Sequence, residues 1–139
     1  MNWPDFIKNH FNNGVPLFSF LEMKVSECSL GSATVEIKMK EEYANTYGIV
    51  HGGIAALLTD AVLGVSLRTL KYKIVTLEMT TSYLLPGKLT DTFYGSGKVV
   101  HQSKKILHGE SFIKNQNGET LCMGRGIYYI TGEDDGIYK

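Results

Sequence analysis

The sequence predicts an α+β fold in which a strongly bent antiparallel sheet of about six strands wraps around one long buried helix. Six segments carry the apolar and polar patterns of strands, and one long segment, about 51–69, carries that of a helix. The helical segment is apolar on nearly every side, which is typical of a helix buried inside a protein. Two strands precede it and four follow it, an order that indicates an antiparallel sheet packed on a single helix.

The first elements are a short N-terminal segment and a hairpin. Residues 3–12 alternate loosely between apolar and polar types and are predicted to form a short surface helix or turn. Strands are predicted at 18–29 and 32–40, and the turn at Leu30-Gly31 joins them into a hairpin. Apolar and polar residues alternate cleanly in 32–40, so this strand has one face in water.

Four more strands follow the helix. They are predicted at 73–84, 91–101, 105–115 and 119–130. The Asn117-Gly118 pair between the last two strands is a strong signal for a hairpin turn. Since one helix cannot cover a six-stranded sheet, apolar surface or an edge is left over, and we expect a second copy of the chain to cover or complete it.

The composition limits the possible functions. The 139 residues are predicted to form a single domain, 1–139. Fourteen Lys and Arg balance fourteen Asp and Glu, and a formal net charge of zero argues against a nucleic-acid partner and a polybasic membrane anchor. The first residues lack the pattern of a signal peptide, and no apolar run is long enough to span a membrane. We therefore expect a cytoplasmic protein with neither nucleic acid nor membrane as a partner.

One carboxylate in the predicted helix is chemically informative. Asp60 is the only carboxylate of this helix, and it shares a stripe of the helix with Gly53, Ala56 and Gly64. These small neighbours leave room for another backbone, another helix or a substrate to approach. Because a buried charge needs a partner, Asp60 is either a reacting group or one half of a structural ion pair with a Lys or Arg.

The start of the predicted helix offers further polar groups. The glycine pair Gly52-Gly53 makes either a tight turn or a site where the unpaired N–H groups of the helix bind an anion or a developing oxyanion. His51 is a ligand, an acid or base, or a cap that orients the loop. Asn45 is a candidate turn residue in the loop before the helix.

Metal and cysteine chemistry are not predicted. The four histidines, His10, His51, His101 and His108, are scattered and include no pair at helical ligand spacing, so we expect no metal site. Cys28 and Cys122 lie in strand-like runs, where buried unreactive thiols are usual. The sequence contains no phosphate-binding loop and no dinucleotide motif.

These residues resemble the hotdog-fold acyl-CoA thioesterases, specifically the PaaI-like branch that includes enzymes of the phenylacetyl-CoA and 4-hydroxybenzoyl-CoA type. The family pattern Asn-x5-His-Gly-Gly-x6-Asp is met by Asn45, His51, Gly52, Gly53 and Asp60. Further matches are Val75-Thr76-Leu77-Glu78 and Ser82-Tyr83-Leu84-Leu85-Pro86-Gly87. The resemblance covers a core of about 17–130, and the order of elements derived above is the hotdog order.

The resemblance implies an acyl-CoA thioester hydrolase that needs no cofactor, because coenzyme A is part of the substrate. It implies that Asp60 is the catalytic carboxylate, acting as a general base on water or as a nucleophile. Gly52 is implied to donate its backbone N–H to the thioester oxygen. Asn45, His51 and Thr76 are implied to orient the carboxylate, the water and the thioester.

The resemblance also implies where the substrate lies. Coenzyme A is expected to run past two segments, formed by Gly53, Tyr83, Leu84, Pro86, Gly87 and Lys88 and by the turn residues His101, Gln102, Ser103, Lys104 and Lys105. Lys104 and Lys105 suit the nucleotide phosphates, although lysines in a hairpin turn are commonly just solvated. The acyl group is expected near Leu57, Ala61, Gly64, Met79 and Tyr83.

A second copy of the chain is expected to complete the site. Gly52 and Asp60 are eight residues apart, about 12 Å along a helix axis at 1.5 Å per residue. Both groups cannot touch one carbonyl, since attack and hydrogen-bond distances are about 3 Å. We predict that each site takes Gly52 from one copy and Asp60 from its mate, in a homodimer that pairs into a tetramer.

Two other functions fit the same fold. A hotdog hydratase or dehydratase uses a His and a carboxylate for proton transfer at carbon, but the hydratase motif Asp-x4-His is absent, because Thr46 stands five residues before His51. A helix Glu far beyond the His, as in the dehydratases, is also missing. A non-catalytic acyl-CoA-binding module could keep the fold without a helix carboxylate, whereas Asp60 is present here.

Overall fold

The computed structural model describes residues 1–137, in which three α-helices and six strands follow one another. The helices are α1 (Trp3–Gly14), α2 (Pro16–Leu21) and α3 (Gly52–Arg68). The strands are β1 (Lys24–Ser29), β2 (Ser32–Lys38), β3 (Tyr72–Tyr83), β4 (Thr92–Gln102), β5 (Ile106–Lys114) and β6 (Thr120–Glu133). The predicted long helix and the four strands after it are confirmed, with ends that shift by three residues at most. None of the helices in this part of the chain is both long and apolar enough to cross a membrane.

All six strands form one antiparallel sheet in the order β1-β2-β4-β5-β6-β3. The helix α3 packs against all six strands, so the predicted bent sheet around one helix is confirmed. Two of the predicted hairpin turns contain glycines in the left-handed region, Gly31 with φ 78° and Gly118 with φ 79°. Glycine adopts this conformation without a steric penalty, which explains why these two turns close tightly.

The strand predicted at 18–29 is wrong in its first half. Helix α2 occupies this stretch, Glu22 turns the chain in a left-handed conformation (φ 56°), and β1 begins only after it. Pro16 presets the backbone of the first helical turn, and the helix buries Phe18 and Leu21 on one side. Periodicity does not distinguish a strand from a helix in so short an apolar run, and this ambiguity explains the error.

Of the short surface helix or turn predicted at 3–12, the structure has the helix, which runs to Gly14 and is partly buried rather than confined to the surface. Helix α1 buries Ile7 and Phe11 in the core. The indole N–H of Trp3 donates to the carbonyl of Arg68, at the C-terminal end of α3 (2.9 Å). Therefore α1 contributes to the core and also satisfies a backbone acceptor that the end of α3 leaves open.

The two edge strands of the sheet, β1 and β3, differ in whether another element packs along them. Helix α1 lies along β1, where the side chain of Asn12 donates to the carbonyl of Val25 (3.0 Å) and accepts from its N–H (2.7 Å). At the other edge β3 pairs only with β6 within residues 1–137. There the side chains of Val75 and Leu77 are 50% and 56% exposed. A long edge strand with exposed apolar side chains is a ready template for pairing with another chain.

Glycines in β4, β5 and β6 let α3 approach the sheet very closely. Four of them face side chains of α3, namely Gly95, Gly97, Gly109 and Gly124. A Cβ atom at Gly97 would lie 2.8 Å from the hydroxyl of Ser66, and a Cβ atom at Gly124 would collide with the side chain of Thr59. The side chains of α3 therefore pack directly against the backbone of β4, β5 and β6 at these glycines.

One side of α3 is not covered by any other element of residues 1–137, contrary to the expectation of a helix buried on nearly every side. Half-buried or exposed residues form an open stripe along it, made of Gly53, Ala56, Leu57, Asp60, Ala61 and Gly64. The helix also packs against β3 and is hydrogen-bonded to it through Asp60, so this open stripe and the open edge of β3 lie side by side. A single curled sheet encloses only one side of its helix, and the other side is left for a partner or a ligand.

We predict that Gly124→Ala lowers the free energy of unfolding by about 1–3 kcal/mol, because the added methyl group overpacks the contact between α3 and β6. Gly132→Ala is the matched control on the same strand, since a Cβ there meets no atom within 4 Å. The control should change stability by less than about 1 kcal/mol. Urea unfolding at one protein concentration measures both variants, and equal stability of the two would contradict the close helix–sheet contact.

Candidate functional site

The carboxylate of Asp60 is held by two hydroxyl groups. Its Oδ1 atom accepts hydrogen bonds from the Thr76 hydroxyl (3.0 Å) and the Tyr128 hydroxyl (2.9 Å). Thr76 and Tyr128 are cross-strand partners in the register of β3 and β6, so their side chains point to the same face of the sheet. The Oδ2 atom has no hydrogen-bond partner among residues 1–137. No Lys or Arg within residues 1–137 pairs with Asp60, so the described part of the chain shows no ion pair at this carboxylate.

Tyr128 is not among the residues predicted from the sequence to form the site. This side chain is 2% exposed, and burial together with the neighbouring Asp60 carboxylate raises the pKa of Tyr128 far above its usual value. Its hydroxyl therefore stays protonated and can act only as a neutral hydrogen-bonding group towards Asp60. The alternation of β6 puts Tyr128 on the inner face, but 68 residues separate it from Asp60, and only the order of the strands brings the two together.

The start of α3 has one engaged and one open N–H group. The Nδ1 atom of His51 accepts from the N–H of Gly53 (2.9 Å), so His51 caps the helix through this nitrogen. The N–H of Gly52 donates to no group in the described residues. The hydroxyl of Tyr83 donates to the carbonyl of Gly52 (2.9 Å), and a Cβ at Gly52 would lie 3.2 Å from the Tyr83 ring. The glycine thus allows the first turn of α3 to lie against Tyr83.

Asn45 shapes the loop that leads into α3. Its side-chain oxygen accepts from the N–H groups of Tyr47 (2.9 Å) and Ile49 (3.3 Å), as a turn residue does. Its backbone N–H donates to the carbonyl of Ile49 (2.8 Å), which closes the loop. The side-chain NH₂ group of Asn45 has no partner within residues 1–137, so it can donate to a bound molecule.

A cavity of about 340 Å³ opens between this loop and the segment that follows β3. Seven of the predicted site residues line it, namely Asn45, His51, Gly52, Tyr83, Leu84, Pro86 and Gly87. The remaining wall is mostly apolar and comes from Ile49, Val50, Ala55, Leu85, Phe93, Leu121 and Cys122. A Cβ at Gly87 would collide with the ring of Phe93, so the glycine allows the backbone to approach this ring closely in the cavity wall. The cavity has the apolar lining and few polar groups that small-molecule sites typically have.

Other predicted site residues lie away from this cavity. Asp60 and Thr76 do not line it, and of the residues expected around the acyl group only Tyr83 does. The others, Leu57, Ala61, Gly64 and Met79, lie half-buried on the open stripe and on β3. Gly53 is exposed at the start of the open stripe, and Lys88 is exposed just beyond the cavity wall.

The turn between β4 and β5 is at the far end of β3. It contains the predicted residues His101, Gln102, Ser103, Lys104 and Lys105, all exposed. The side chain of Gln102 donates to the hydroxyl of Tyr72 (3.0 Å), the first residue of β3, whereas the cavity lies beside Tyr83, the last. Eleven residue steps along a strand span roughly 35 Å. One chain therefore does not bring the two predicted coenzyme A segments together.

The described residues offer no obvious metal centre or reactive thiol. Within residues 1–137, no group of three or more His, Cys, Asp and Glu is placed to hold a metal ion. Burial raises the pKa of both Cys28 and Cys122 to about 11, so both thiols stay protonated. The polar groups described above at the site include the Asp60 carboxylate, the hydroxyl groups and the backbone N–H groups.

Sequence comparison relates the chain to known hydrolases. A model described as the thioesterase superfamily matches residues 47–122. A candidate esterase of Saccharolobus solfataricus is 30% identical over 126 residues, which cover 89% of each protein. Human acyl-coenzyme A thioesterase 13 is 28% identical over 103 residues, covering 72% of this chain and 74% of that protein.

Structural comparison identifies solved proteins that share the fold of this chain. A hypothetical thioesterase from Streptococcus pneumoniae TIGR4, solved with coenzyme A, is 29% identical with a TM-score of 0.79, covering 81% of this chain and 91% of that one. The E. coli PaaI protein from the phenylacetic acid degradation operon is 21% identical with a TM-score of 0.89, covering 95% of this chain and 98% of that one. These similarities confirm the hotdog fold predicted from the sequence.

Proposed function

Because this chain belongs to the thioesterase superfamily, we propose that it hydrolyses the thioester bond of an acyl-coenzyme A to give a free acid and coenzyme A. The observation that carries the proposal is the carboxylate of Asp60, which has one oxygen held by two hydroxyls and the other unpartnered on the open stripe of α3. Support also comes from the similarity to human acyl-coenzyme A thioesterase 13 and to a thioesterase structure that holds coenzyme A.

The carboxylate has two routes to the same products. As a general base, Asp60 takes a proton from water while the water oxygen bonds to the carbonyl carbon, and the carbon–sulfur bond then breaks. As a nucleophile, Asp60 bonds to the carbonyl carbon, releases the thiolate and forms an anhydride that water opens. In both routes the leaving thiolate takes up one proton. Since an ordinary thiol has a pKa of about 8.5, no strong general acid is required.

The N-terminal end of α3 can stabilise negative charge on the carbonyl oxygen of the thioester. Negative charge develops on that oxygen as the carbonyl carbon is attacked, and the N–H of Gly52 is open at the positive end of the helix dipole. Asn45 and His51 border the same cavity and supply further polar groups for orienting the thioester and the water. The carbonyl oxygen therefore lies near Gly52 in the proposed complex.

A complete site requires two copies of the chain. Gly52 and Asp60 lie about 12 Å apart along α3, too far for both to act on one carbonyl. An antiparallel pairing of two β3 edges about a two-fold axis sets the Tyr83 end of one strand beside the Tyr72 end of the other. It also sets the open stripes of the two α3 helices next to each other. In this homodimer, Gly52 of one copy and Asp60 of the other form one site.

The same pairing unites the two coenzyme A segments. The segment Tyr83–Lys88 of one copy comes near the turn of the other copy that carries Lys104 and Lys105, so one pantetheine arm can run from the cavity to the lysines. The ammonium groups of these exposed lysines then face the nucleotide phosphates. The tetramer and the cytoplasmic location expected from the sequence stay predictions.

We predict that Asp60→Asn lowers kcat by about a hundredfold or more with a much smaller change in KM, because the carboxylate acts chiefly in the transition state. A screen of aryl, short, medium and long acyl-CoAs with detection of the free thiol first identifies the best substrate. Asp5→Asn, at an exposed carboxylate on α1, is the matched control and should retain wild-type kinetics. A folded Asp60→Asn variant with near wild-type kcat would show that the carboxylate is not used in the reaction.

We further predict that the double variant Lys104→Ala with Lys105→Ala raises KM for acyl-CoA on the order of fivefold. The variant should barely affect an acyl-pantetheine, which lacks the nucleotide phosphates, because phosphate contacts contribute uniform and salt-screened binding. The control is Lys24→Ala with Lys114→Ala, which removes two exposed lysines at other positions. Equal changes in KM for both substrates would show that the two lysines of this turn do not contact the nucleotide of coenzyme A.

A further inference from the structure

The two oxygens of the Asp60 carboxylate have different surroundings. Both protein donors, the Thr76 hydroxyl at 3.0 Å and the Tyr128 hydroxyl at 2.9 Å, bond to Oδ1. Within residues 1–137, no group bonds to Oδ2. A carboxylate held through one oxygen by two donors from two strands has little freedom to rotate, so Oδ2 is kept in one direction.

Tyr128 is the more rigid of the two donors. Its ring is packed in an apolar cluster with Leu63, Leu67, Leu107 and Ile130. A Cβ at Gly126 would lie 2.5 Å from Cε2 of the ring and 3.1 Å from its hydroxyl oxygen, so the ring fits only because residue 126 is a glycine. Thr76, in contrast, is exposed on the edge strand. The buried ring therefore carries the main constraint on the position of Oδ1.

We propose that Tyr128 is a positioning residue for the hydrolysis: with Thr76 it fixes Oδ1 of Asp60 and thereby directs Oδ2 to the reacting atom. This inference rests on the proposed function, because it assigns to Asp60 the role given above. Tyr128 does not itself touch the substrate in this scheme. It acts by holding a carboxylate that would otherwise rotate about its side-chain bonds, and the reaction depends on that orientation.

A purely structural role for this hydrogen bond has a different consequence. A buried tyrosine hydroxyl needs a partner, and Asp60 could simply supply one. In that case removal of the hydroxyl leaves Asp60 as reactive as before, since Thr76 still holds it. Both roles include the same hydrogen bond, but they predict different values of kcat for a variant that lacks the Tyr128 hydroxyl.

The test is a double-mutant cycle with the best acyl-CoA substrate on folded protein. Tyr128→Phe removes only the hydroxyl and should lower kcat by about tenfold, while KM changes by less than about twofold. In the Asp60→Asn background the same substitution should lower kcat by less than about twofold, because the carboxylate that it positions is gone. Tyr94→Phe, at an outward-facing tyrosine of β4, is the matched control and should keep wild-type kcat.

The outcomes separate this proposal from the proposed function. Wild-type kcat in Tyr128→Phe, with Asp60→Asn impaired, overturns the positioning role and leaves the function intact. An equal loss from Tyr128→Phe with and without Asp60 also overturns it, because the hydroxyl then acts independently. Full activity in Asp60→Asn would instead contradict the catalytic role of Asp60.

A second variant keeps the test decisive if Tyr128→Phe does not fold. Gly126→Ala retains both hydroxyl donors but displaces the ring that carries one of them. It should lower kcat with little change in KM, and this loss should vanish in the Asp60→Asn background. A folded Gly126→Ala variant with wild-type kcat would overturn the proposal.

Discussion

The close contact of α3 with the inner face of the sheet determines where every other part of the site lies. Glycines at Gly95, Gly97, Gly109 and Gly124 remove the side chains that would keep the helix away from the strands. In the described part of the chain, the sheet therefore encloses one side of the helix, and the opposite side stays open beside the edge of β3 that pairs with no other strand. Asp60 lies at the boundary, where it can bond to hydroxyls of the sheet and still present an oxygen outwards.

The same geometry divides the reactive groups between two ends of one helix. The open N–H of Gly52 begins α3 beside the apolar cavity, and Asp60 lies two turns further along. Neither end has both a group that stabilises the oxyanion and a group that activates water. In the proposed enzyme, a second copy that pairs along β3 about a two-fold axis brings its Asp60 close to Gly52 of the first copy. Catalysis and dimer formation therefore depend on the same surface, the β3 edge and the open stripe of α3.

Local sequence patterns predicted the long helix and all six strands, although the first strand begins later than predicted, and they singled out Asn45, His51 and Gly52, which line one cavity. They failed for the helix α2, because a short apolar run after a proline fits a helix as well as a strand. They also failed for Tyr128, whose contact with Asp60 depends on the strand order that places β6 beside β3. The cavity could not be predicted from local sequence patterns either, since two of its lining residues, Phe93 and Leu121, come from strands far apart in the sequence.

The shared site is tested most directly by mixing two inactive variants. Gly52→Pro removes the backbone donor at a helical position that tolerates proline, and Asp60→Ala removes the carboxylate. Each homodimer should be inactive, whereas a mixed dimer has one site with both lesions and one site with neither. Random exchange of equal amounts makes half of the dimers mixed, so co-expression should restore about a quarter of wild-type activity. No recovery, with mixed dimers demonstrated and Gly52→Pro folded, would place both groups of a working site in one chain and contradict the account.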